Sequence, residues 1–159
     1  MCVFDTFAIF AEIKSKMKAE PTHKSIILSG YKFALYNLDT FRFDEKLNLT
    51  NNDKCKGVYV FTYAYRQAII SKPNFTYKMS HNLLYLGKAE SIEVRALSPS
   101  HEKWADLKSD GCNRIGVYYC KDNENPKNIE SIILSNYNFK ENSAENKNNT
   151  EDISIVEEV

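Results

Sequence analysis

Apolar positions recur at helical spacing near the start of the chain and form short continuous runs further along. Residues 5–19 carry one apolar face at intervals of three and four residues, which predicts a helix that Pro21 ends. Two apolar runs on either side of Ser29-Gly30 predict a strand, a turn and a second strand. The polar, turn-rich stretch 48–56 marks a boundary, so residues 1–56 are interpreted as an N-terminal extension consisting of a helix and a hairpin.

The middle of the chain has a sharper pattern. Runs rich in β-branched and aromatic side chains predict three strands, over residues 57–65, 82–87 and 113–120. Residues 66–81, between the first two strands, are predicted to be a long connection with several bases and no acid. Helices are predicted over residues 89–97 and 101–110. A third begins at Asn125-Pro126, because asparagine caps a helix and proline suits its first position.

Charge is distributed unevenly along the chain. The whole chain has 21 bases and 21 acids. From Glu141 onward, however, six acids face the single base Lys147, so residues 1–140 have 20 bases, 15 acids and a net charge of +5. A mildly basic body is compatible with a nucleic-acid partner. Residues 143–159 are predicted to be an acidic, disordered tail, and residues 153–156 within it either dock as a strand or fray.

The composition argues against a membrane protein and against a zinc protein. No apolar run approaches the roughly 18 residues of a membrane-spanning helix, and no basic residues precede the apolar start as they would in a signal peptide. The four cysteines form no CxxC pair and have no histidine at zinc-ligand spacing, which predicts reduced thiols. A cytoplasmic protein is therefore expected.

Six landmarks follow one another in a defined order between the first predicted strand and the last predicted helix. They are Gly57-Val58-Tyr59, Tyr85-Leu86-Gly87, Arg95, His101, Glu130 and Asn142. Each is weak alone, but the ordered set resembles the GIY-YIG nuclease superfamily over residues 57–142, in the form of a stand-alone bacterial or phage-type member. Valine and leucine replace the central isoleucines of its two motifs, which is a conservative change on a buried strand.

The resemblance implies a fold and an activity. The implied fold is α+β, with a small, mostly antiparallel three-stranded sheet flanked by helices and preceded by the N-terminal helix and strand extension. The implied activity is that of an endonuclease which hydrolyses DNA phosphodiester bonds with a single Mg²⁺ or Mn²⁺ ion. Residues 143–159 would form an acidic tail outside this domain.

The resemblance also assigns roles to individual side chains. Glu130 would bind the metal through oxygen, as Mg²⁺ prefers, and Arg95 would hold two phosphate oxygens. Tyr59 would activate or position the attacking water, as a phenolate or through a relay, with support from Tyr85. His101 would move a proton near neutral pH.

A second group of residues is predicted to contact substrate. Lys88 follows the second motif directly, and the connection 66–81 contributes the remaining bases. The candidate substrate-binding residues are Lys88, Arg66, Lys72, Lys78 and Asn142. Asn142 is alternatively predicted to order the strand ends, and Lys72 and Lys78 are alternatively ordinary solvated side chains.

The alternative function is a catalytically silent protein of the same fold that binds a nucleic acid or a host or phage protein. The apolar face of the first helix suggests a homodimer. The acidic tail suggests an internal competitor of DNA, in which case deleting residues 143–159 should raise DNA affinity. Taken singly, the tyrosines fit core aromatics, and Glu130 fits a residue that complements the start of a helix.

Overall fold

The structure is a computed structural model, and it describes residues 19–38, 56–71, 74–90, 92, 102–142 and 152–159. Its elements are β1 (Ala19–Leu28), β2 (Tyr31–Leu38), β3 (Gly57–Ser71), β4 (Asn74–Ala89), α1 (Trp104–Ser109), β5 (Arg114–Tyr119), α2 (Pro126–Asn136), a 3-10 turn (Lys140–Asn142) and β6 (Ile155–Glu157). The helix predicted over residues 5–19 lies outside the described residues, except for its last residue, which begins β1. No helix in these ranges is long and apolar enough to cross a membrane.

The six strands form one antiparallel sheet in the order β1-β2-β5-β3-β4-β6. The sheet curls far enough for its two edges to meet. The backbone of Ser25 in β1 and that of Val159, just after β6, exchange hydrogen bonds with N···O distances of 3.3 and 2.8 Å. This reciprocal pair joins the first strand to the end of the last.

The predicted three-stranded sheet flanked by helices is therefore wrong. The three predicted strands are confirmed as parts of β3, β4 and β5, and these occupy the middle of a sheet twice that size. The N-terminal hairpin pairs with β5, and the C-terminal strand pairs with β4. Both additions satisfy backbone groups that a three-stranded sheet would leave unpaired at its edges. Only two α-helices lie entirely within the described ranges.

The stretch predicted as a connection also has a different structure. Residues 66–71 continue β3 and residues 74–81 continue β4, so most of the predicted connection is a two-stranded ribbon. Its register runs without a break from Thr62↔Leu83 to Ser71↔Asn74. Polar residues interrupt the apolar run here because the ribbon extends beyond the core, where neither face needs to be buried.

Apolar side chains pack on both faces of the sheet. The α1-side core contains Trp104 and Leu107 of α1, Tyr59 and Phe61 of β3, and residues of β2, β4 and β5. The α2-side core contains Ile129, Ile133 and Leu134 of α2, and it takes buried or partly buried residues from all six strands. Neighbouring residues of β3 alternate between these cores, as the pleat requires.

The predicted disorder of the tail does not hold for its last residues. Residues 155–157 form β6, and they pair with residues 80–82 of β4. Ser154 adds backbone bonds to Leu83 and to Asn138. Of the two alternatives for the tail, the structure adopts the docking strand, because the outer edge of β4 offers it unpaired backbone groups. Residues 143–151 lie outside the described ranges.

Two of the predicted reduced thiols can be described. Cys112 and Cys120 are free and buried. Burial raises the pKa of the Cys112 thiol to about 12 and that of Cys120 to about 11. Both therefore stay protonated near neutral pH and act as small core side chains rather than as nucleophiles.

Candidate active site

The two sequence motifs lie side by side in the sheet. Tyr59 of β3 stands directly opposite Gly87 of β4, and Phe61 stands opposite Tyr85. Residues that oppose each other on antiparallel strands share one face of the sheet. The pairing therefore brings both motif tyrosines to the α1 side, with their ring centroids 6.2 Å apart.

The glycine of the second motif has a steric cause. A Cβ atom at Gly87 would lie 2.3 Å from Cζ and 2.4 Å from the hydroxyl oxygen of Tyr59. The Tyr59 ring therefore lies flat across the glycine and occupies the space of the missing side chain. Because Tyr59 has no exposed surface, the ring has nowhere to move if that space is filled.

The glycine of the first motif is restricted in the same way. A Cβ atom at Gly57 would lie 2.3 Å from the Tyr118 carbonyl oxygen and 2.4 Å from the side chain of Ile92. Gly57 pairs with both neighbouring strands, opposite Ala89 and Tyr119. The two glycines thus permit close packing at the same end of the central strand.

A β-bulge separates the motif end of the hairpin from the ribbon. The register shifts between Phe61 and Thr62, so that Leu84 and Tyr85 of β4 share the space of one partner. A bulge turns a side chain away from its regular direction and is common beside functional sites. Tyr85 is half-buried, whereas Tyr59 is fully buried, so Tyr85 is the motif tyrosine with access to solvent.

Asn142 holds the second motif through its backbone. Its side-chain oxygen accepts from the Leu86 N–H at 2.8 Å, and its Nδ2 donates to the Leu86 carbonyl at 3.0 Å. The residue is 3% exposed. Of the two predicted roles for Asn142, this geometry matches the ordering of a strand end, because both polar atoms of the amide bind the peptide beside Gly87.

Asn113 makes the same contact on the other side of the hairpin, and no sequence pattern predicted it. Its Oδ1 accepts from the Ala64 N–H at 2.8 Å, and its Nδ2 donates to the Ala64 carbonyl at 3.0 Å. The Asn113 side-chain amide thus extends the hydrogen-bond ladder between β3 and β5 beyond its last backbone pair, Thr62 and Arg114. An asparagine directly before a strand was the available signal, but turn residues are so common there that the position alone does not reveal it.

Glu130 lies on the other side of the sheet from the tyrosines. It is half-buried on α2, next to Ile129, in a helix that packs on the α2-side core with Val58 and Val60. Lys88 stands opposite Val58, so it too belongs to this face, and it is exposed. The structure therefore brings Tyr59 and Tyr85 together, and it puts Glu130 and Lys88 on the opposite face.

The remaining predicted catalytic residues, Arg95 and His101, lie outside the described residues. Among the residues described, no group of three or more metal-ligating side chains occurs. A single carboxylate such as Glu130 is still a suitable protein ligand for Mg²⁺, since this ion keeps several waters and binds only one or two protein carboxylates.

The predicted substrate-binding bases of the ribbon have different surroundings. Arg66 is exposed, and its guanidinium lies over the Tyr77 ring, 5.9 Å from the centroid. Lys78 forms an ion pair with Glu157 of β6. Lys72 lies outside the described residues.

A buried polar chain, which no motif in the sequence indicates, connects the sheet to the C-terminal strand. Thr62 and His81 have no exposed surface, and the Thr62 hydroxyl lies 2.7 Å from His81 Nδ1. The other imidazole nitrogen lies 3.0 Å from Glu158 Oε1. Burial lowers the pKa of His81 more than the Glu158 carboxylate raises it. Because Thr62 is inaccessible, this chain fastens the end of β6 rather than presenting a nucleophile.

A second unexpected cluster joins α1 to the 3-10 turn. Lys140 forms an ion pair with Asp110, whose Oδ2 is buried and accepts no hydrogen bond from an N–H group. A hydrogen bond between the Glu141 and Asp110 carboxyl groups, followed by burial and by the charge of Asp110, raises the pKa of Glu141 to about 7. The turn that carries Asn142 is therefore attached to α1 by charge and by a shared proton.

No protein family, curated protein or solved structure that was compared matches this chain.

Proposed function

We propose that the protein is a metal-dependent endonuclease that hydrolyses DNA phosphodiester bonds. One observation carries the proposal: the two motifs behind the resemblance are direct cross-strand partners. Tyr59 stands opposite Gly87, and its ring fills the space that the glycine leaves empty. This steric pairing gives both motifs a common reason to be present, which two unrelated strand ends would lack.

The chemistry requires an attacking water, neutralisation of phosphate charge and stabilisation of the leaving oxygen. Tyr59 and Tyr85, with ring centroids 6.2 Å apart, lie on the α1 side of the sheet, whereas Glu130 lies on the α2 side. The tyrosines would therefore fix the two motif strands in place and would not contact the water beside Glu130. The rigid backing comes from Asn142, which holds the Leu86 peptide between the two motif residues of β4.

Glu130 would hold Mg²⁺ or Mn²⁺, and the bound ion would supply positive charge at the phosphate. Lys88 lies on the same face as α2 and adds a cation for the DNA backbone. By the resemblance, Arg95 contributes a bidentate contact to phosphate and His101 transfers a proton.

The test is nicking of supercoiled plasmid with Mg²⁺ or Mn²⁺ by the wild type, by Glu130→Gln and by Asp122→Asn. Asp122 is an exposed acid in the turn before α2, so its replacement controls for a change of one charge. We expect nicking by the wild type and by Asp122→Asn, and its loss in Glu130→Gln with an unchanged melting temperature. A folded wild type that cuts no DNA substrate, or a Glu130→Gln variant that cuts normally, would contradict the proposal.

The second candidate function is DNA binding without cleavage. Two observations favour it: Tyr59 has no exposed surface, and Glu130 belongs to the face opposite the tyrosines. A silent protein would bind duplex DNA with an affinity that metal and the Glu130→Gln change leave unaltered. An active enzyme would bind in either form but release nicked product only with metal and Glu130 present.

A further inference from the structure

The β3–β4 hairpin extends beyond every other strand of the described structure. β5 pairs with β3 as far as Thr62, and the Asn113 side chain continues this contact to Ala64. On the other side, the last backbone bond to β4 is from Glu158 to the carbonyl of Met79. We call residues 65–71 and 74–78 the arm. Seven residues of extended chain make it about 23 Å long.

The base of the arm is fixed, whereas the arm itself is open to solvent. β6 fastens the base through the Lys78–Glu157 ion pair and the contact of His81 with Glu158. Residues 66–70 are all exposed on both faces of the ribbon. A ribbon attached to a rigid sheet at one end can enter a narrow space without losing the contacts that hold it.

The charge of the arm favours a polyanionic partner. No acidic residue occurs between Asp53 and Glu90, a stretch that contains the whole arm and both motifs. Arg66 is exposed on the face it shares with Tyr77, where the ring holds the guanidinium by a cation–π contact. A second copy of the chain that docked its own arm on this one would oppose like charges.

Apolar exposure on the arm indicates how such a partner would be contacted. Ile70 is 79% exposed, the highest value among the large apolar side chains described, and Tyr77 is 60% exposed. At this exposure Ile70 buries little apolar surface and so contributes little to folding. Apolar side chains of this kind are the wedges that minor-groove proteins insert between base steps, and the insertion kinks the duplex.

We infer that the arm inserts into the minor groove of double-stranded DNA, with Ile70 as the wedge and Arg66 as a phosphate contact, and bends the duplex at the site of binding. The inference rests on the proposed function in one respect, namely that DNA is the substrate. It adds the mode of binding, and it predicts that the nuclease acts on bent or easily kinked duplex steps. Such steps lower the cost of deformation.

The experiment measures bending and binding without metal, so that no cleavage interferes. A duplex of about 20–30 base pairs carries a donor dye at one end and an acceptor dye at the other. Energy transfer then reports the bend, and anisotropy at several salt concentrations reports the affinity. Ile27, 43% exposed on β1, supplies the control variant Ile27→Ser.

The expected results separate the two side chains. Wild type and Ile27→Ser should bend the duplex by about 20–90°, and Ile70→Ser should bind with little or no bend. Arg66→Gln should reduce the slope of log affinity against log salt by about 0.9, the value for one phosphate contact. Melting temperatures should stay unchanged, because both residues are exposed.

Three results would overturn the inference. They are a straight duplex in the wild-type complex, an unchanged bend with Ile70→Ser, or a wild-type dimer in sedimentation that Ile70→Ser converts to a monomer. The last result would identify a second copy of the chain as the partner of the arm. Bending without nicking would refute the nuclease alone, and nicking without bending would refute the arm alone, so the two proposals fail separately.

Discussion

At the scale of single residues, the motif glycines are explained by what their missing side chains would hit. Gly87 lies under the ring of Tyr59, and Gly57 lies against the Tyr118 carbonyl. Neither glycine needs an unusual backbone angle, in contrast to Gly30 and Gly111, whose positive φ values of 83° and 78° mark turns. The sequence shows glycine at all four positions, and only the contacts and backbone angles of the structure distinguish the two causes.

The first prediction concerns Gly87→Ala. The added methyl group would overlap the buried Tyr59 ring, so we expect the free energy of unfolding to fall by about 1–3 kcal/mol, as overpacking usually costs. Urea denaturation measures the change. Lys88→Ala, at the exposed neighbouring position, should leave the urea midpoint nearly unaltered. A Gly87→Ala protein as stable as wild type would show that the ring moves freely.

The second prediction concerns the pH dependence introduced by Glu141. Its folded-state pKa of about 7 lies above the ordinary value of 4.5, because its hydrogen bond to Asp110 requires the proton. The folded state therefore binds this proton more tightly than the unfolded state does, and the resulting stability is fully present below pH 4.5 and is lost as the pH rises through about 7.

Glu141→Gln keeps a donor for Asp110 at every pH. Relative to wild type, it should gain stability as the pH rises from about 4.5 to about 7, measured by thermal melting in a series of buffers. Wild type also contains His81, whose lowered pKa acts in the opposite direction: its contribution is present above pH 6.5 and is lost as the pH falls. Both proteins contain His81, so its contribution cancels when the stability of wild type is subtracted from that of Glu141→Gln at each pH. Parallel melting curves across the series would refute the shared proton.

At the scale of elements, β6 has two functions that its sequence does not reveal. It covers part of the outer edge of β4, and it brings Glu157 and Glu158 to Lys78 and His81. The Glu158 contact is buried at His81, whereas the Glu157 contact is exposed. Exposed ion pairs contribute about 0–1 kcal/mol to stability, so the Glu157 pair has more effect on charge than on folding.

The third prediction uses this difference to test the tail as an internal competitor of DNA. Glu157→Gln releases Lys78 at the base of the arm, so DNA affinity should rise several-fold at low salt, and the gain should shrink as salt increases. Fluorescence anisotropy measures both effects. Asp152→Asn removes the same charge from an exposed position that precedes β6. Equal gains in both variants would assign the effect to net charge instead of to the ion pair.

At the scale of the whole molecule, the sheet has two edges that come together, and this closure joins β1 to the residues that follow β6. Ser25 and Val159 are far apart in sequence and exchange two backbone bonds. The α2-side core receives residues from all six strands, whereas the α1-side core receives residues from the central strands only. The sheet thus curls around α2, and the arm projects from the curled body into solvent.

The sequence by itself determined the local features. β-branched and aromatic runs predicted the central parts of β3, β4 and β5, because such side chains suit a pleated strand with two buried faces. Asn125-Pro126 predicted the start of α2, where the Asn125 side chain accepts from Lys127 N–H at 3.0 Å. These signals are local because capping and strand propensity act within a few residues.

Only the tertiary structure decided the size of the sheet, the path of residues 66–81 and the docking of the tail. Each depends on backbone hydrogen bonds between distant segments, such as β2 with β5 and β4 with β6. Backbone groups are the same at every residue, so no side-chain pattern records which edge a strand will join. Which face of the sheet α2 covers also depends on long-range packing. The resemblance implied that Tyr59 and Glu130 share one site, whereas the alternation of β3 and the packing of α2 put them on opposite faces of the sheet.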